Sequence, residues 1–196
     1  MKCGVVLVVG VVALVETFAA AVPQAPTGQV TKSFTAGGRI YLDLSAGDYT
    51  IRGYPESAIR VRWTTRQGRD EKKARADIQI DGGSATVRTR GPRNRFLVEI
   101  DVPQRADLDL TLTAGDIRIR GVEGDKRLSM WAGDVTIEVG DPALYKRVDA
   151  TVRAGDLSAR AFGRSTGGLF RSFRWDGKGK YTIDAQLFAG DLKLVK

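Results

Sequence analysis

The chain has 196 residues, 31 Lys and Arg against 23 Asp and Glu, a net charge of +8, no histidine and one cysteine, Cys3. These counts exclude Ser-His and Cys-His nucleophilic pairs, a disulfide framework, and the imidazole and thiolate ligands on which zinc, copper and haem sites depend. Any catalysis would have to run on carboxylates, lysine, tyrosine or serine, and no cofactor is implied.

At the N-terminus, Lys2 precedes an apolar run from Val5 to Val15, and Ala19-Ala20-Ala21 supplies the small residues that a signal peptidase reads. The pattern predicts a secretory signal peptide over residues 1–21, cut after Ala21, because the run is shorter than the roughly 20 apolar residues that a membrane span needs. Cys3 lies ahead of the apolar run, so it is not the acylated cysteine of a lipoprotein and leaves with the leader. One lysine and one glutamate leave as well, and the mature charge stays +8. Residues 22–29, with Pro23 and Pro26, read as an extended lead-in. Residues 30–196 read as one domain, since no linker or change of composition divides them.

The body of the chain is built on a repeat. Ala-Gly-Asp occurs at Ala46-Gly47-Asp48, Ala114-Gly115-Asp116, Ala132-Gly133-Asp134, Ala154-Gly155-Asp156 and Ala189-Gly190-Asp191. Apolar residues alternate on either side, as in Leu110, Leu112, Ile117 and Ile119 around the second motif. Alternation predicts half-buried strands, and Gly-Asp predicts a turn or corner between them. Gly47, Asp48, Gly115, Asp116, Gly133, Asp134, Gly155, Asp156, Gly190 and Asp191 are therefore expected as structural turns, each aspartate capping its own bend. The competing reading is an acidic ladder for calcium, but calcium-binding β-rolls need denser carboxylates than one Gly-Asp per turn.

Successive motifs are 68, 18, 22 and 35 residues apart. The short spacings match one coil of a stacked β-repeat. In the longest gap, Ile59–Trp63, Ile78–Ile80, Ala85–Val87 and Phe96–Val102 alternate as strands, and the charged stretch 66–76 reads as a solvated turn or short helix. The fold expected is all-β, a β-solenoid or right-handed parallel β-helix-like domain. An antiparallel hairpin β-sandwich fits the local pattern equally well.

The ordered series FLVEIDVP, DLDLTLTAGDIRIRGVEGD, SMWAGDVTIEV, TVRAGDLSARAF and GKGKYTIDAQLFAGDLKLVK resembles the bacterial putative adhesin family over residues 30–196. The resemblance implies an exported, solenoid-like β domain with no established enzymatic activity.

The last gap, residues 164–180, mixes cations with aromatic rings. Arg164, Arg171, Arg174, Trp175, Lys178 and Lys180 make a candidate surface for an anionic ligand, with packing of Phe170, Phe173 and Trp175 over one end of the fold as the plainer reading. A second basic stretch from Arg60 to Arg75 reads as a solvated face. Nucleic acid would account for +8 in a cytoplasmic protein, whereas a leader favours an anionic envelope polymer, a glycan or a membrane protein as partner. Candidate catalytic carboxylates would come from Glu99, Asp101, Asp107, Asp109 and Glu138, yet no acid pair stands apart from the repeat. The expected function is a non-enzymatic surface or periplasmic interaction scaffold, adhesin-like. A polysaccharide-active enzyme and an envelope-stress accessory are the alternatives.

Overall fold

The structure is a computed structural model that describes residues 27–65, 71–92, 95–166 and 169–196. The expected leader, and the lead-in up to residue 26, lie outside the described residues. The strands are, in chain order, β1 (Gly28–Ser33), β2 (Arg39–Leu44), β3 (Asp48–Tyr54), β4 (Ala58–Thr64), β5 (Arg75–Asp81), β6 (Ser84–Arg90), β7 (Leu97–Pro103), β8 (Asp107–Ala114), β9 (Ile117–Arg120), β10 (Lys126–Ala132), β11 (Val135–Glu138), β12 (Tyr145–Ala154), β13 (Leu157–Ala159), β14 (Arg164–Thr166), β15 (Leu169–Asp176), β16 (Tyr181–Ala189) and β17 (Leu192–Val195). The four alternating runs of the longest gap form β4, β5, β6 and β7. The charged stretch between β4 and β5 contributes one 3-10 turn at Glu71–Lys73.

These strands make two mixed sheets, ordered β1-β4-β7-β3-β9-β11-β17-β13-β14 and β15-β12-β16-β10-β8-β2-β6-β5. Five times the chain runs up a strand of the eight-stranded sheet, turns at Ala-Gly-Asp, and continues in the nine-stranded sheet. Neighbouring units pair in parallel. Antiparallel strands flank them: β4 on β7 and β5 on β6 at one end, β14 on β13 and β15 on β12 at the other. The layout is sandwich-like, and the core lies between the sheets.

The units do not stack in chain order. In space they run β2/β3, β8/β9, β10/β11, β16/β17, β12/β13, so the last unit is inserted between the third and the fourth. A coil in which each turn rests on its predecessor was the simplest expectation from the short spacings, and this insertion departs from it. The physical reason lies in the repeat itself. Every unit presents the same corner and alternation, so the C-terminal unit fits wherever two like units leave a gap.

Alternation places the buried side chains in registered rows. Leu42, Leu110, Leu128, Ala185 and Ala150 form one row, and Leu44, Leu112, Met130, Leu187 and Val152 the next. A one-residue slip of β8 would turn Leu108, Leu110 and Leu112 to water at roughly 2 kcal/mol each, so burial fixes the register.

The corners form a second set of registered rows. The Gly115, Gly133 and Gly190 amides donate to Ala132, Ala189 and Ala154 carbonyls at 3.1, 2.9 and 2.8 Å. Gly115, Gly133, Gly155 and Gly190 hold φ between 122° and 133°, a region that favours glycine. The carboxylates of Asp48, Asp116, Asp134 and Asp191 serve the neighbouring unit rather than their own turns. The Asp134 amide donates to Asp116 Oδ1 at 3.1 Å, Asp191 to Asp134 at 3.0 Å, Asp156 to Asp191 at 3.1 Å and Asp116 to Asp48 at 3.4 Å. Parallel stacking causes this, because it brings the next unit's amide beside the carboxylate.

Candidate ligand-binding face

The outward side chains of the eight-stranded sheet follow the same registration, but here the residues differ from unit to unit. Immediately before the corner alanines, Thr113, Trp131, Phe188 and Arg153 stand side by side on β8, β10, β16 and β12. The Trp131 and Phe188 rings stack at 4.1 Å between centroids and 4° between planes. They are 59% and 38% exposed, which is unusual for large rings in contact with each other. The Arg153 guanidinium lies 5.8 Å from the Phe188 centroid, within cation-π range.

Two residues further from the corner, Thr111, Ser129, Gln186 and Thr151 form a row of short, uncharged polar side chains, extended by Ser172 on β15. Beyond it lies a charged row. Arg127 is 3.4 Å from Asp109, Asp149 is bonded to both Arg147 and Arg174, and Asp184 stands between. The Arg174 hydrogen bond, outweighing a small burial cost and aided by Arg147, holds the Asp149 carboxyl below its usual range. The sheet face thus carries a shallow trough across the strands, with an aromatic ridge on one side, a charge-paired bank on the other and a neutral polar floor. Its open volume is about 890 Å³.

The cations expected to form an anionic-ligand surface are not brought together. Arg164 is exposed at the β14 edge of the nine-stranded sheet. Arg171 and Arg174 occupy opposite faces of β15, because residues three apart in a strand must. Arg174 faces outward to Asp149 at 2.7 Å, whereas Arg171 shares the inner face with Phe173 and Trp175. Trp175 is half-buried against Phe162 at 4.8 Å. Lys178 is exposed in the link to β16, and Lys180 lies 5.4 Å over the Tyr181 ring. The Phe170 side chain lies outside the described residues. Phe173 and Trp175 pack against the core at this end of the stack.

The candidate carboxylates are divided between two outer surfaces. Glu99, Asp101 and Glu138 belong to the nine-stranded sheet, Asp107 and Asp109 to the eight-stranded one. Asp101, only 4% exposed, is bonded to Arg52 at 2.9 Å and Arg62 at 2.8 Å, with Arg60 at 3.9 Å, so part of the second basic stretch is consumed in this network. Arg66 and Arg69 of that stretch lie outside the described residues. Asp107 accepts the Asp125 amide at 2.9 Å and Asp125 accepts that of Thr182 at 2.8 Å, a second aspartate relay at the opposite corner. Among the described residues no group of three or more His, Cys, Asp or Glu is placed to hold a metal ion, and no helix is long and apolar enough to cross a membrane.

Two features escaped the sequence reading. One is the Trp131–Phe188 pair, 57 residues apart in the chain and joined only by the inserted unit. The other is Lys126, 2% exposed, whose Nζ donates to Tyr145 Oη at 2.8 Å and to the Gly124 carbonyl at 3.1 Å. Burial pushes this lysine down to about 8, against the pull of Asp125 and Glu123, and pushes Tyr145 up. Lys126 was legible: it lies six residues before Ala132, where the other four units carry Ile40, Leu108, Val148 and Ile183.

No known protein family matches this chain by sequence profile, and no curated protein matches it. Among solved structures, a putative cell adhesion protein from Clostridium sporogenes is similar over 87% of this chain and 99% of its own, at 12% identity and a TM-score of 0.49. A putative adhesin from Parabacteroides merdae is similar over 86% and 96%, at 10% identity and a TM-score of 0.27. A putative lipid binding protein from Parabacteroides distasonis covers 86% and 97%, at 8% identity and a TM-score of 0.27.

Proposed function

We propose that the protein is an exported, non-enzymatic interaction module, adhesin-like, whose working surface is the trough on the eight-stranded sheet. The observation that carries this reading is the exposed Trp131–Phe188 stack beside a polar floor. Flat exposed rings next to hydrogen-bonding side chains suit recognition. The leader-like residues 1–21 support export. The carboxylates considered for catalysis support a binding role: Asp101, Asp107 and Asp109 are engaged in ion pairs or backbone hydrogen bonds instead of facing one another across a cleft.

The test is retention of the full chain on isolated bacterial envelope. The double variant W131A/F188A is expected to lower retention about tenfold, the equivalent of about 1.4 kcal/mol. Neutralising Arg171, Arg174 and Lys178 together should have little effect, because the fold disperses them. Retention by W131A/F188A equal to that of the parent chain would overturn the assignment.

A further inference from the structure

We infer that the trough binds a short oligosaccharide of mainly neutral sugars carrying one carboxylate, which pairs with Arg153. The inference rests on the reading of this face as the working surface and names the class of ligand it takes.

Three observations lead to it. First, the floor of Thr111, Ser129, Gln186 and Thr151 offers only side-chain hydroxyl and amide groups, since the backbone groups of these strands are committed to ladders on both sides. An extended peptide, which recognises a sheet through free backbone edges, finds none here. A polyhydroxylated chain finds both donors and acceptors. Second, Thr113 is the neighbour of Trp131 on the side away from Phe188, and its short side chain leaves that face of the indole open. The apolar face of a pyranose can lie against the indole while its equatorial hydroxyls reach the threonines below.

Third, the charges select a single acid. Around the trough Asp109, Asp149 and Asp184 are matched in number by Arg127, Arg147 and Arg174. On the five central strands, Arg39, Arg127 and Arg147 each lie within 4 Å of an aspartate, at 3.9, 3.4 and 2.5 Å. Arg153 has no such partner among the described residues. Its guanidinium keeps in-plane donors for a carboxylate while one face rests on Phe188. A polyphosphate or densely charged polyuronate would meet the aspartates of the bank, whereas one carboxylate per few sugars meets one uncompensated cation. The floor from β8 to β12 crosses three strand spacings, roughly 14 Å, enough for a short oligosaccharide.

The experiment uses the full chain with xylo-oligosaccharides bearing one glucuronate, and with the unsubstituted oligosaccharides of the same length, followed by calorimetry and tryptophan fluorescence. The acidic ligand should bind about tenfold tighter than the neutral one, and added salt should shrink that difference. W131A should weaken both ligands by about tenfold, and R153Q should abolish the difference between them. Thermal melts of W131A and R153Q that match the parent chain check that losses do not come from unfolding. Absence of binding by either sugar overturns the inference, and so does equal binding of the two. In either case the envelope-retention assay with W131A/F188A decides separately whether the face itself is the working surface.

Discussion

An alanine at position 133 would place its Cβ 1.9 Å from the Gly115 carbonyl oxygen, and it would do so at φ +122°. The same contact recurs along the corner row at Gly115, Gly155 and Gly190. Each glycine there answers two demands, a left-handed backbone and a neighbouring corner too close for a side chain. Gly37 meets only the first, with φ +88° and nothing within 4 Å of an added Cβ. G133A should therefore cost about 3 kcal/mol or more, and G37A about 1 kcal/mol. Urea denaturation of the two variants checks this through their midpoints; equal shifts would mean that the carbonyl contact is readily relieved.

Within the β10 and β12 strands, Lys126 and Tyr145 make stability depend on alkaline pH. Burial lowers the folded-state value of Lys126 from 10.5 to about 8, so below that pH the folded protein carries a charge it holds less readily than the unfolded chain. The cost is about 3 kcal/mol. As pH rises from about 8 towards 10 the unfolded chain keeps more protons, and stability increases. Above about 10 the sign reverses, because an unfolded tyrosine ionises while burial keeps Tyr145 neutral. Thermal melts from about pH 7 to 10 should show the rise, and K126M should flatten it whatever its effect at neutral pH. A parallel profile in K126M would remove Lys126 as the cause.

The same elements show what the sequence could disclose. Parity around Ala-Gly-Asp assigned Leu110, Leu112, Ile117 and Ile119 to the core, and the same rule, carried six residues back from Ala132, would have placed Lys126 there as well. Parity is local, however. Interchangeable corners carry no information about which unit rests on which, so the adjacency of β10 and β16 was hidden, and with it the pairing of Trp131 with Phe188. The cations of residues 164–180 misled for a related reason. Proximity in sequence hid the alternation that sends Arg171 and Arg174 to opposite faces.

At the scale of the whole molecule, the inserted unit is an internal slat of both sheets. β16 joins β10 to β12, and β17 joins β11 to β13. Removal of residues 181–196 should therefore abolish cooperative unfolding rather than shorten the stack, because β12 to β15 lose their attachment to the rest. Among the described residues, removal of residues 1–33 takes away the edge strand β1, and should leave a less stable but cooperative domain. Near-UV circular dichroism with thermal melts of the two truncations distinguishes an internal slat from an end one. A cooperative melt of the C-terminal truncation would contradict the topology.

The position of that slat also ties closure to time. A chain emerging from its N-terminus can pair β8 with β10 early, but β12 and β13 have no place beside β10 and β11 until β16 and β17 arrive. The sheets then close in a single late step. For a protein threaded through a narrow channel, completion of the fold would wait on the passage of residues 181–195, and the chain would remain extensible until they were through.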